Sequence, residues 1–165
     1  MTSPIGDLRL VASGGGLCGV YMTEHRHAPP PAAYGEERDD EPVLQRARRQ
    51  LDEYFAGERR RFDLPLAPVG TEFQRAVWAA LSTLEFGAVC TYADIARRIG
   101  RPAATRAVGA ANGRNPISII VPCHRVVGSD RSLTGYGGGL ERKRWLLAHE
   151  ARLVGAVFLG DDPPR

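Results

Sequence analysis

The 165-residue sequence predicts an α+β chain in two parts, a small antiparallel sheet with one helix over residues 1–70 and a helical part over 71–165. Three observations carry this. Leu8, Leu10 and Ala12 alternate with Asp7, Arg9 and Val11 ahead of a glycine-rich turn, which is strand spacing. From Pro42 the period lengthens, so that Leu44, Ala47, Leu51, Tyr54 and Phe55 share one helical face. After Thr71 the helical spacing persists in short runs, two of them followed by Gly100 and Gly113.

In order along the chain, the Ser13–Gly16 turn joins the first strand to a second over Leu17–Met22. Residues 28–42 combine proline, glycine and charge without apolar periodicity and read as a surface loop. A helix follows, with Pro42 in its first turn and Gly57 at its end, and its Arg46, Arg48 and Arg49 form a solvated face. Phe62–Leu66 reads as a short edge strand and Ala67–Gly70 as a linker. Thr71 and Gln74 have the form of a capping box, opening a helix to about Leu84 that buries Phe73, Val77, Leu81 and Leu84. A second helix starts near Thr91 and stops at Gly100; a third runs from Pro102 to about Asn112.

Two short helices around Gly100-Arg101 have the sequence form of a helix-turn-helix. The second is built almost entirely of small residues, with Arg106 its only long side chain. It suits either tight burial in a core or close approach of its backbone to DNA. Leu140 to about Arg152 forms a last helix, with core contacts from Trp145, Leu146 and Leu147, and Val154–Leu159 and the Asp161–Arg165 end read as a short apolar piece and a tail.

Charge is uneven. Residues 1–70 carry nine Arg against eleven acids, a balance of −2, and residues 71–165 carry thirteen Lys and Arg against eight acids, a balance of +5. A basic half suits a phosphate-facing surface. With 21 arginines and one lysine, Lys143, the bias is equally compatible with genome composition. The start of the chain lacks a basic and then apolar leader, no long apolar segment follows, and three cysteines without repeated spacing form no disulfide framework. A cytoplasmic protein in a reducing compartment is expected. Cys18, His25 and His27 match no zinc spacing, and no metal is expected.

The chemistry centres on Ile119–Gly128, where an apolar run resembling a buried strand ends at Pro122 and is followed by Cys123, His124 and Arg125. Cys123 is either a buried structural thiol or a nucleophile with His124 as its base. Adjacent residues of a strand face opposite ways, so His124 reaches the sulfur only through a turn at Pro122 or a bridging water. Gly135-Tyr-Gly-Gly-Gly139 matches neither a dinucleotide fingerprint nor a Walker loop, so a nucleotide cofactor is disfavoured.

Pro122-Cys-His-Arg-Val126 resembles the active-site signature of the O6-alkylguanine-DNA alkyltransferases. Asn115-Pro116, Tyr92 and Arg106 upstream and the Gly135–Gly139 and Leu146–Glu150 stretches downstream match as well. The resemblance implies a ribonuclease-H-like first domain, 1–70, and a winged-helix-like second domain, 71–165. It implies irreversible transfer of an alkyl group from guanine O6 to Cys123, one turnover per molecule, without cofactor. His124 would act through a water, oriented by Glu150; Tyr92 would protonate the guanine ring, and Asn115 would hold the turn before the cysteine. Thr105, Arg106, Ala107, Gly109 and Asn112 would meet double-stranded DNA in the minor groove, with Arg106 replacing the flipped nucleotide. Tyr136, Val126, Gly137, Ser118 and Lys143 would line the base and alkyl pocket. Some members carry a structural zinc in the first domain, for which this chain offers no convincing ligand set.

Two positions depart from the pattern. Asn112 stands where an apolar side chain often packs on the base, and Ser118 replaces a proline that can wall the alkyl pocket. A monomer is expected, and cooperativity along DNA is left open. Three rivals remain: a lesion sensor on the same fold, which would lack the cysteine; a helix-turn-helix regulator indifferent to Cys123→Ser; and a thiol hydrolase, which needs an oxyanion hole.

Overall fold

In the computed structural model, residues 1–38 and 40–156 are described. Strands β1 (Leu8–Ser13) and β2 (Gly16–Met22) pair antiparallel around Gly14 and Gly15, whose φ angles of 57° and 77° give the turn that a two-residue hairpin favours. The register shifts between Val11 and Ala12, where β2 carries Cys18 as an extra residue, and its thiol donates to Val11 O at 3.4 Å. Helix α1 (Pro42–Ala56) packs on this hairpin, starting with Pro42 in its first turn and closing on Gly57 in the left-handed conformation.

The second part is helical: α2 (Glu72–Leu81), α3 (Tyr92–Arg98), α4 (Thr105–Gly113) and α5 (Leu140–Leu153). Thr71 and Gln74 exchange both capping-box bonds, and Thr91 and Asp94 repeat the device at α3. The Trp78 indole donates to Ala111 O at 2.9 Å, fixing α2 on α4. Cys90–Thr91 (β3) and Val126–Val127 (β4) form a two-residue parallel pair, so this half is not wholly helical.

Four local expectations are corrected. Phe62–Leu66 does not form an edge strand: Leu66 alone bridges to Leu17, because Pro65 has no N–H to continue a ladder. Helix α2 ends at Leu81, three residues early, since the hydroxyls of Ser82 and Thr83 turn back onto Trp78 O and Ala80 O. The third helix opens as a 3-10 turn over Pro102–Ala104 before α4 begins. Ile119–Val121 is not a strand but a series of tight turns, with Ile120 N donating to Ser118 O and Cys123 N to Val121 O. Ile119 takes φ 73° there, a costly conformation for a β-branched side chain, on the order of 1–3 kcal/mol, that its complete burial holds in place. Of the apolar piece read at 154–159, residues 157–159 lie outside the described residues, as does the 161–165 tail.

One core runs through both halves, from Leu17, Val20, Leu51 and Tyr54 to Val77, Leu81, Ile95, Ile117 and Leu146. Among the described residues no helix is long and apolar enough to cross a membrane.

Candidate active site and nucleic-acid interface

The cysteine segment is shaped by Asn115. Its Oδ1 accepts from Ile117 N at 3.1 Å, and its Nδ2 donates to Val121 O at 2.8 Å and to Cys123 Sγ at 3.1 Å. One side chain thus closes the turns and aims a donor at the sulfur. Pro122 then leads into a 3-10 turn over Cys123–Arg125, so Cys123 and His124 do not alternate as strand residues would.

Cys123 is 2% exposed, and burial pushes its thiol up to about 11, against the Asn115 bond and the charge of Lys143. His124 is fully buried, with Nε2 2.8 Å from Glu150 Oε1. An ionised carboxylate only accepts, so Nε2 carries the proton and Nδ1 is left as a lone pair. That Nδ1 is buried without a hydrogen-bond partner among the described residues. Burial lowers the imidazole below its ordinary value against the raising effect of Glu150, keeping it neutral and able to take a proton.

Glu150 receives five donors. Oε1 takes the Tyr54 hydroxyl at 2.8 Å, His124 and Arg125 Nη2 at 3.0 Å; Oε2 takes Arg125 Nε at 2.9 Å and Gly87 N at 3.0 Å. Burial works to raise this carboxyl, but His124 and Arg125 together hold it well below the usual carboxylate range. Gly87 reaches the carboxylate at φ 78°, and a Cβ there would stand 2.8 Å from Val154, so only glycine presents this N–H. Tyr54, Arg125 and Gly87 were missed as site residues by sequence reasoning; a charged residue inside the buried Val121–Val127 run was the one available sign, and it pointed to Arg125.

Around the sulfur stand the expected pocket residues. Lys143 is fully buried, and its ammonium donates to Val126 O and Thr134 O, both at 2.5 Å. Burial brings it down to about 8, against the pull of Cys123. Tyr92 donates its phenol to Thr134 O at 2.7 Å. Tyr136 is buried, and its hydroxyl has no hydrogen-bond partner among the described residues; Ser118 Oγ meets His25 Nε2 at 3.3 Å. Gly137 is buried, and its carbonyl accepts from Arg26 N at 2.9 Å. The first seventy residues therefore wall the pocket through His25 and Arg26 as well as supporting Glu150 through Tyr54.

The predicted DNA-facing residues divide. Arg106 and Ala107 are exposed on α4 and Thr105 and Gly109 half-buried; Arg97, Arg98, Arg101 and Arg114, near them in sequence, are exposed as well, with Arg97 paired to Asp94. Helix α4 is built of small residues with Arg106 its one charged side chain, and the chain reaches it from α3 through Gly100 at φ 71°. Asn112 does not share the exposure of Arg106. It is 1% exposed, and its Nδ2 donates to Cys123 O at 3.4 Å and Gly135 O at 3.2 Å, tying the cysteine turn to the glycine loop. The reason is its register: Asn112 follows Val108 and Ala111 on the inward side of α4. Among the described residues no three His, Cys, Asp or Glu gather as a metal cluster.

Comparison with known proteins agrees over nearly the whole length. Residues 1–68 match the family model for the ribonuclease-like domain of 6-O-methylguanine DNA methyltransferase, and residues 72–152 match the model for its DNA-binding domain. A Haemophilus influenzae protein named methylated-DNA–protein-cysteine methyltransferase is 46% identical over 149 residues, covering 90% of this chain and 82% of the relative. One of the same name from Methanosarcina acetivorans is 49% identical over 149 residues, covering 90% and 94%. Among solved structures, Mycobacterium tuberculosis OGT in complex with DNA superposes with a TM-score of 0.86 at 46% identity, covering 93% of this chain and 92% of that one. The chain belongs to the 6-O-methylguanine DNA methyltransferase family.

Proposed function

We propose that this protein is a methylated-DNA–protein-cysteine methyltransferase that moves the alkyl group of O6-alkylguanine onto Cys123 and is consumed in doing so. The observation that carries the reading is the buried thiol with Asn115 at 3.1 Å, next in sequence to a His124–Glu150 pair at 2.8 Å and close to a helix that exposes Arg106.

The thiol proton passes through a bridging water to His124 Nδ1, and Glu150, already charged, stabilises the imidazolium. Lys143 and the Asn115 amide stabilise the thiolate. The sulfur lone pair attacks the alkyl carbon, the S–C bond forms as the C–O6 bond breaks, and the electron pair of that bond stays with guanine. The Tyr92 phenol protonates the guanine ring, so that the base does not leave as a bare anion. The lesion reaches the sulfur by leaving the duplex stack, with α4 in the minor groove and Arg106 filling the gap. Thr105, Ala107 and Gly109 allow the close approach, while Asn112 acts from behind by holding the cysteine turn. Tyr136, Val126, Gly137 and Ser118 enclose the base and its alkyl group. The stable thioether ends the reaction after one turnover. The protein works in the cytoplasm as a monomer on double-stranded DNA without a cofactor, and the change of role at about residue 70 separates support from DNA contact.

The test is the intact mass and peptide map after incubation with a duplex containing O6-methylguanine. A gain of one methyl group per molecule on the Cys123 peptide is expected, and repair of several lesions by one molecule would overturn the reading. The pH dependence is a second check. His124 must be neutral to accept the proton, and its pKa lies below the ordinary 6.5. The single-turnover transfer rate should therefore hold from neutral pH down through about 6.5 and fall only below it; a rate that rises on acidification excludes His124 as the base.

A further inference from the structure

Tyr54 lies on α1, 96 residues from Glu150 in sequence. It is fully buried, and its ring is fixed on four sides by Phe55 at 5.3 Å, Phe62 at 5.6 Å, Phe86 at 5.9 Å and His149 at 5.4 Å between centroids. Its carbonyl accepts from His149 Nε2 at 3.0 Å, so α1 and α5 are joined at both ends of this one residue. A tyrosine needed only as core filling would have no use for a hydroxyl here. This hydroxyl meets the same carboxylate oxygen, Oε1, that His124 uses.

We infer that Tyr54 is a positioning residue for alkyl transfer, holding Glu150 Oε1 on His124 Nε2 and limiting how strongly that oxygen attracts the imidazole proton. The inference rests on the proposed role of His124 as the base. Burial and the neighbouring Glu150 charge keep the phenol protonated, so it acts as a donor and does not take the proton itself. The charged and titratable groups facing the pair are few. Glu150, Lys143 and His149 come from α5, His149 lying against the Tyr54 ring and carbonyl; His124 and Arg125 come from the cysteine turn, Tyr136 from the glycine loop, and Tyr54 from α1. Arg125 is shared by both carboxylate oxygens, whereas Tyr54 acts on Oε1 alone. Removing its O–H leaves Oε1 more basic, so that His124 holds a proton at higher pH and the carboxylate loses a constraint on its orientation.

The experiment is single-turnover transfer by full-length Tyr54→Phe on a duplex containing O6-methylguanine, across pH 4.5–8.5, with lesion-DNA affinity and Tm measured alongside. Phenylalanine keeps the ring contacts. The acid limb is expected to move to higher pH by about one unit and the plateau rate to fall about tenfold, with DNA affinity unchanged within about twofold. An unmoved acid limb and a plateau within about twofold of the parent, with only Tm lowered, would show a structural tie and overturn the inference. His124→Gln separates the two levels. If His124→Gln transfers as fast as the parent, the assignment of the base fails and Tyr54's role with it. If His124→Gln is slow while Tyr54→Phe matches the parent, Tyr54 alone is excluded.

Discussion

Cys123→Ser is expected to abolish alkyl transfer completely while leaving lesion binding intact. The side chain is nearly isosteric, and an oxygen can take the same hydrogen bond that Asn115 gives the sulfur at 3.1 Å. A serine hydroxyl, however, gives up its proton far less readily than a thiol, and a neutral His124 is too weak a base to take it through the bridging water. The variant should hold O6-methylguanine DNA as a long-lived complex and show no mass gain. Cys18 and Cys90 serve as internal controls, since Cys18 Sγ is engaged with Val11 O and the Asn115 donor is given to Cys123. A methyl group found on either of them, or on the serine variant, would remove Cys123 from the mechanism.

Glu150→Ala is expected to damage both stability and reaction. Glu150 is 1% exposed and neutralises Arg125, which is 5% exposed, so its loss strands a buried guanidinium together with the Tyr54 hydroxyl and the Gly87 N–H. The cost should be about 3–5 kcal/mol, read as a fall in Tm on the order of 10 °C. Transfer should also slow on the order of a hundredfold, because nothing then fixes which His124 nitrogen carries the proton. Glu150→Gln is not a mild control. Its amide nitrogen would face a donor set built for two acceptor oxygens, so it should also lose stability. Unfolding of Glu150→Ala within about 1 kcal/mol of the parent would show that the five-donor arrangement contributes little.

What could be read along the chain had local causes. The Thr71–Gln74 exchange and the Pro42 start and Gly57 end of α1 each involve residues whose spacing alone determines their geometry. The cysteine, its histidine and the later glutamate were legible because family resemblance carries their spacing. Tyr54 was not, since a tyrosine on an apolar helical face looks like core, and nothing near residue 54 records a carboxylate 96 residues away. Ile119 failed for the opposite reason. Its run of β-branched neighbours favours a strand, and Asn115 overrides that preference by binding Val121 O and the cysteine together. Asn112 was placed on the DNA face by resemblance, while its position on the inner side of α4 turned it toward Cys123 O.

The outer side of β2 is completed by two distant segments. Leu17 N donates to Pro65 O at 2.8 Å, and Val20 N donates to Pro116 O at 2.8 Å in a parallel bridge to Ile117. On a ribosome adding about 5–20 residues per second, Val20 is made roughly 5–20 s before Ile117 exists to meet it. Through that interval the newborn hairpin carries an open strand edge at Val20, and Tyr54, once made, has no Glu150 carboxylate to bind. The nascent chain is then most exposed to pairing with its neighbours on a polysome. Closure of that edge awaits the same stretch of polypeptide that carries Cys123, so the sheet is completed only as the buried thiol is made, with the Glu150 partner of His124 still to follow.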